Sequence, residues 1–252
     1  MRSICLQSGS SGNAFFVEAG NVRLLFDAGI GGRRVKMRLR EAGYDVNRID
    51  ALIISHEHSD HAAHAGALHR LYQIPLYLTP RTRQAIGYRL GKTFDVRHFQ
   101  VGQTLDFGAV RVRTIPTTHD AVDGAAFIVE HDGKRLGIFT DLGSPTLSLF
   151  GAVRSVDAAY LESNYDPHML RVGPYPREVQ ARIRGTGGHL SNAEAASLLA
   201  ARETPMRWVA LAHLSQHNNA PEVALRTHVE KVGADYPIHL TKRYDCIEPL
   251  CL

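Results

Sequence analysis

The segment His56-Glu57-His58-Ser59-Asp60-His61 constrains this chain more than any other. It follows the apolar run ALIIS at 51–55 and precedes a helical pattern at 61–72. Four residues of metal-ligand type thus sit within six positions at a strand end. In an extended segment His56 and His58 point to the same side. The turn into the helix brings Asp60 and His61 round from another direction. One loop can therefore present donors to two metal ions, and mixed imidazole and carboxylate donors suit zinc-like ions. The histidines are two apart, unlike the helical HExxH arrangement, where they are four apart.

A chain of 252 residues, 44% hydrophobic and 21% charged, has ordinary globular composition and enough length for a substantial core. Disordered and collagen-like classes are excluded. We expect one domain over 1–252. No apolar run approaches the roughly 20 residues that span a bilayer, and the opening residues lack the apolar stretch of a signal peptide. Cys5, Cys246 and Cys251 are odd in number and lack metal-type spacing, which argues against a disulfide framework. A cytoplasmic protein with no membrane partner is the expectation. Cys5 reads as a small buried residue of a first strand rather than as a nucleophile. The net charge of +4 suits an anionic partner without naming one.

Strand-like and helical runs alternate along the chain. Strands are expected at 14–18, 22–27, 51–55, 110–114, 126–130, 136–140, 158–162 and 208–212. Helices are expected at 31–42, 61–72, 191–201 and 221–232, the third opening on a capping box of Ser191 and Glu194. A faint repeat is visible. LLFDAG at 24–29 matches IFTDLG at 138–143, each a strand ending in Asp. LIISHEHSDH at 52–61 matches VALAHLSQHN at 209–218, each a strand ending in His. A duplicated fold would gather these strand ends at one edge. Asp27, Asp141 and His213 are those ends, and His119 follows another strand in Thr117-Thr118-His119-Asp120.

The ordered set Asp27, HxHxDH, His119, Asp141, His213 resembles the metallo-β-lactamase-fold hydrolases over nearly the whole chain. The resemblance implies an α/β fold, a four-layer αββα sandwich with an internal pseudo-twofold repeat and two divalent metal ions at the sheet edges. Carried over by position, His56, His58 and His119 would hold one ion. Asp60, His61 and His213 would hold the other, with Asp141 bridging. Asp27 would orient a ligand through a hydrogen bond. Zn²⁺ suits this set, and Mn²⁺ or Fe²⁺ fits the same residues. No cysteine lies near a ligand, unlike a true β-lactamase, and a redox diiron relative would want Glu where His58 stands.

Further segments are similar to the YycJ/WalJ-like branch: Ser8-Gly9-Ser10-Ser11-Gly12-Asn13, Glu162-Ser163-Asn164-Tyr165-Asp166, Gly173-Pro174-Tyr175-Pro176, Gly188-His189-Leu190-Ser191-Asn192 and Ala212-His213-Leu214-Ser215 with Asn218-Asn219. That similarity implies a 5′-to-3′ DNA exonuclease using a metal-bridging hydroxide. Two divalent ions, two carboxylates and one hydroxide leave a net positive site, which favours an anionic phosphodiester over a neutral amide. Asp60 or Asp141 would accept a proton. His189, just before a capped helix, would contact the scissile phosphate or protonate the leaving group. Asn164, Ser191, Asn192 and Asn218 are candidates for phosphate oxygens, and equally for capping and turn chemistry. Arg177, Arg182 and Arg184 suit flanking phosphates or a solvated face. The other histidines, His217 among them, read as structural. No run of aromatics signals a single-strand stacking platform. The alternatives are a hydrolase of this fold acting on a cyclic phosphodiester, lactone or thioester, and a non-catalytic nucleic-acid-binding subunit.

Overall fold

The computed structural model describes residues 1–252 and shows two seven-stranded mixed sheets packed face to face between helices. The first half runs β1 (Arg2–Gln7), β2 (Ala14–Ala19), β3 (Val22–Phe26), α1 (Gly32–Glu41), β4 (Ala51–Ile53), α2 (Ser59–Ala62), α3 (Ala65–Tyr72), β5 (Leu76–Leu78), α4 (Pro80–Leu90) and β6 (Val96–His98). The second half opens with β7 (Thr104–Phe107), β8 (Val110–Pro116), β9 (Ala125–His131), β10 (Lys134–Phe139), α5 (Leu147–Ser155), β11 (Ala158–Glu162) and α6 (Pro167–Val172). It continues through α7 (Arg177–Arg184), α8 (Asn192–Ala200), β12 (Trp208–Ala212), α9 (Pro221–Val232), β13 (Ile238–Leu240) and β14 (Leu250–Cys251).

Period-two alternation sorts the side chains into layers. On β2, Phe15 and Val17 enter the core between the sheets, while Ala14 and Phe16 enter the core under the first helical layer. On β12, Trp208, Ala210 and Ala212 face the first sheet, and Val209 and Leu211 face α8 and α9. Three apolar cores result, as a helix–sheet–sheet–helix sandwich requires. Aromatic pairs bridge the sheets, Phe15 with Tyr160 and Phe26 with Phe127, at ring separations of 5.0 Å each. Such pairs each add about 0.5–1.5 kcal/mol beyond their buried area.

The two sheets share one topology. The orders β14-β1-β2-β3-β4-β5-β6 and β7-β8-β9-β10-β11-β12-β13 each open with three antiparallel pairings and close with three parallel ones. Asp27 and Asp141 follow the equivalent strands β3 and β10. The histidine half of the repeat is offset, however. His56 lies beyond β4, whose counterpart is β11, whereas His213 follows β12, the counterpart of β5. In register, Glu162 at the end of β11 matches Ile53 at the end of β4, three positions short of His56.

All eight expected strands form, and the helix at 221–232 has the expected bounds. The capping box of Ser191 and Glu194 is complete. The helix expected over 61–72 is instead two, α2 and α3, because the loop residues Asp60 and His61 turn in one short helix before the chain restarts at Ala65.

Candidate metal centre

The parallel strands end at one edge of the sandwich, where open α/β sheets place their ligands. Asp27, Asp141 and His213, which follow β3, β10 and β12, adopt positive φ angles of 62°, 54° and 54°. A non-glycine residue in this left-handed region costs on the order of 1–3 kcal/mol and is typical of functional sites. The hooked backbone turns each side chain off its sheet towards the same point.

At that point the ligand-type residues converge. Donor atoms of His56, His58 and His119 lie within 4.8 Å of one another, as do those of His56, His61 and Asp141, and those of Asp60, His61 and His213. His119 Nε2 is 3.2 Å from His58 Nδ1 and 3.6 Å from Asp141 Oδ1. His213 Nε2 is 3.4 Å from Asp60 Oδ2 and 3.6 Å from Asp141 Oδ1. Asp60 and His61 come round on α2, as the turn after His58 requires. Gly29 permits this approach: a Cβ there would lie 1.8 Å from the Asp60 carbonyl oxygen.

The residues fit divalent ions. His56 Nε2 and Asp141 Oδ2 are fully buried polar atoms with no hydrogen-bond partner. Asp141 Oδ2 lies 2.9 Å from His61 Nε2 without hydrogen-bond alignment, the arrangement of two donors aimed at a shared ion. The opposite ring nitrogens are fixed by the protein. His56 Nδ1 meets Ser55 Oγ at 2.9 Å, and His119 Nδ1 meets the Gly188 carbonyl at 2.7 Å. His61 Nδ1 meets Asp27 Oδ2 at 2.7 Å, and the other Asp27 oxygen accepts the Ser55 N–H. Such outer hydrogen bonds fix tautomer and orientation in metal sites.

Electrostatics couple the cluster. Burial pushes the His213 imidazole down, but Asp141, with Asp60 and Glu162, outweighs it and lifts His213 to about 10. His61 is likewise raised well above its ordinary range, burial being overcome by Asp141, Asp27 and Asp60. Burial alone would raise Asp141; His213 and His61 hold it far below the usual carboxylate range. Burial pushes His56 down, reinforced by the neighbouring His61.

His189 sits beside this cluster with its ring 4.8 Å from that of His119 and 5.2 Å from that of His213. Its Nδ1 is 2.6 Å from Glu162 Oε1, and its Nε2 has no partner within the chain. Glu162, quoted above only within a motif, is the functional side chain that sequence reasoning missed. It is fully buried at the end of β11, accepts the Leu142 N–H at 2.9 Å and lies 3.6 Å from His213 Nδ1. Burial would raise its carboxyl, but His189 outweighs this and holds it at about 2. Its signal was available: a carboxylate ending an apolar strand. Asn13 was missed too. Its amide nitrogen is 2.9 Å from His61 Nε2 and reaches Asp60.

The four expected phosphate-binding side chains all make hydrogen bonds within the chain. Asn192 is fully buried, and its amide is used by Ser163 and Asn219. Asn218 is fully buried and donates to Ser215 Oγ. Ser191 Oγ is engaged by Glu194 in the cap. The Asn164 amide nitrogen donates to the His213 carbonyl at 2.9 Å. These contacts brace the loops that carry His189 and His213, while Asn218 Oδ1 is buried without a partner. Of the three arginines, Arg182 reaches the cluster. Its Nε is 2.6 Å from Asp120 Oδ2, and Asp120 lies 3.6 Å from His119 Nε2.

The fold and the convergent histidines and carboxylates define a metal-dependent hydrolase. The chain belongs to the metallo-β-lactamase superfamily, whose family model matches residues 8–180. Within it, the chain is 34% identical over 248 residues to the exodeoxyribonuclease WalJ of Streptococcus pneumoniae, covering 94% of this chain and 92% of that one. It is 33% identical over 222 residues to the exodeoxyribonuclease YycJ of Bacillus anthracis, covering 87% and 84%. Among solved structures, YhfI of Bacillus subtilis superposes with a TM-score of 0.74 at 18% identity over 98% of both chains. Zinc-bound PqqB of Methylobacterium extorquens gives 0.75 at 15% identity over all of both. No helix is long and apolar enough to cross a membrane.

Proposed function

We propose that the whole chain, 1–252, works in the cytoplasm as one hydrolase domain, a dinuclear phosphodiesterase that removes nucleotides from DNA in the 5′-to-3′ direction. One observation carries the reading: His56 Nε2 and Asp141 Oδ2, buried and unpartnered, face the same cluster beside an oriented His189. The names of the two bacterial relatives support DNA as the substrate.

In this reading His56, His58 and His119 would hold one ion and Asp60, His61 and His213 the second, with Asp141 available to either. Two divalent ions, Zn²⁺ by donor type with Mn²⁺ or Fe²⁺ as alternatives, would supply a water of lowered pKa and polarise the phosphoryl oxygen. Asp27 fixes His61 through Nδ1, so His61 Nε2 stays aimed at the cluster. Asp60, part-exposed beside the cluster, would accept the proton released as the attacking water adds to phosphorus, while Asp141 is buried among the histidines. His189, held at Nδ1 by the Glu162 carboxylate, presents Nε2 to the leaving 3′ oxygen and donates its proton there. General acid catalysis of this kind contributes roughly 10²- to 10⁴-fold.

The test is release of mononucleotides from 5′-end-labelled duplex DNA, with Mn²⁺ and with Zn²⁺. Asp60→Ala is expected to abolish release while remaining folded, and His189→Ala to slow it. Full activity in Asp60→Ala would refute the reading. Two bound ions without any release would move the substrate to a small phosphodiester or ester.

A further inference from the structure

Three aromatic side chains far apart in sequence are joined by contacts at the loop that follows His213. Tyr175 lies between α6 and α7, His217 lies four residues beyond His213, and Tyr244 lies in the segment between β13 and β14. The Tyr175 and His217 rings are 5.7 Å apart in an edge-on arrangement. The Tyr244 hydroxyl donates to Gln216 Oε1 at 3.2 Å. His217 is exposed, Tyr175 is half-buried and Tyr244 is 62% exposed.

The group is anchored to the metal centre by backbone contacts. Arg243 donates to the Leu214 carbonyl, immediately after His213. The same guanidinium lies against Gly9, whose Cβ would be 3.2 Å from Arg243 Nη1. Ser8, next to Gly9, accepts the His213 N–H at 2.9 Å, and Asn13 of that loop reaches Asp60 and His61. Arg177, two residues from Tyr175, is exposed and forms no ion pair within the chain. Exposed aromatic faces beside an unpaired arginine suit a single nucleic-acid strand: bases stack while a phosphate is neutralised.

We infer that Tyr175, His217 and Tyr244 form a base-stacking platform that holds a single-stranded or frayed nucleotide segment next to the His213 side of the metal centre. The inference rests on the phosphodiesterase reading for its substrate, and it adds what that reading lacks, contact with bases. Every base has a π-face, so the platform holds bases without selecting sequence. It favours strands whose bases are unpaired and free to splay. The Tyr244 backbone carbonyl, which Arg38 grips, is untouched by changes to its ring.

The experiment measures binding of metal-loaded protein to a fluorescent ten-nucleotide single strand with cleavage-resistant phosphorothioate linkages. A strand of equal length and charge carrying tetrahydrofuran abasic sites is the comparison. Loss of a stacked base weakens binding roughly 5- to 150-fold. Wild type is expected to prefer the base-bearing strand by about tenfold or more. Tyr244→Ala and Tyr175→Ala are expected to lose that preference, and Tyr244→Phe and Tyr175→Phe to keep it. Equal affinity of wild type for both strands overturns the platform, as does undiminished preference in the two alanine variants. Wild-type hydrolysis of bis(p-nitrophenyl) phosphate, which carries no base, is followed in parallel. Its absence in metal-loaded protein sinks the phosphodiesterase reading, and the base preference still decides the platform.

Discussion

Glu162→Gln removes one charge and almost no volume, so its effect isolates what the carboxylate does. The carboxylate accepts from His189 Nδ1 through Oε1 and from the Leu142 N–H through Oε2. A glutamine cannot serve both. With its oxygen towards Leu142, its NH₂ faces His189 Nδ1 and forces the ring's proton onto Nε2. With its oxygen towards His189, its NH₂ opposes the Leu142 N–H. The shift of Glu162 from 4.5 to about 2 corresponds to about 3 kcal/mol favouring the charged form. Realised in the transition state, that is about 10²-fold in kcat, at the low end of the range for general acid catalysis. The assay compares two substrates. DNA leaves as a strongly basic alkoxide and needs a proton, whereas p-nitrophenolate leaves without one. Glu162→Gln is expected to lose about 10²-fold on DNA and under about fivefold on bis(p-nitrophenyl) phosphate. Equal losses on both substrates would mean that Glu162 supports the cluster as a whole and does not position an acid.

Metal loading is expected to release protons. The metal-free chain holds His61 and His213 raised, His213 to about 10, so both are protonated at pH 7 and must deprotonate to coordinate. A raised value stabilises the metal-free fold below the ordinary histidine range near 6.5, and that contribution is lost as pH rises through 10. Metal affinity therefore rises with pH, and calorimetry in buffers of differing ionisation enthalpy should count about two protons released per chain; none released contradicts the charge assignment. Gly29→Ala drives a methyl into the Asp60 backbone and is expected to cost at least about 1–3 kcal/mol and to reduce metal content; an unchanged melting temperature and full occupancy would contradict the close packing. Asn192→Ala strands Ser163 and Asn219 in a buried network and is expected to cost about 1–3 kcal/mol. Its KM for DNA should stay within about twofold; a KM change much larger than its stability change would restore Asn192 as a substrate contact.

The convergence of the histidines and carboxylates was legible because its members advertise themselves locally. Each is a ligand-type residue just beyond an apolar strand, and HxHxDH concentrates four of them. The equivalence of Asp27 and Asp141 was legible for the same reason. The histidine equivalence was not, because β4 and β12 look alike in sequence while the sheet order that separates them is a long-range property. The packing of Asn192 was not legible because its partners come from other segments: Ser163 and Asn219 meet it across 29 and 27 positions. Tyr175, His217 and Tyr244 escaped for the same cause, since no local pattern brings three loops together. The helix α4 has few buried positions, Thr82, Ile86 and Leu90, so no apolar stripe announced it, although Thr79 followed by Pro80 is a start signal.

The central claim is tested most directly on one duplex carrying different labels at the 5′ and 3′ ends of the same strand, followed over time with metal-loaded protein. The account predicts that the 5′ label appears as mononucleotide at the earliest time points while the 3′-labelled strand shortens progressively. Release of the 3′ label first, internal fragments in place of mononucleotides, or an intact duplex beside protein holding two ions would contradict it.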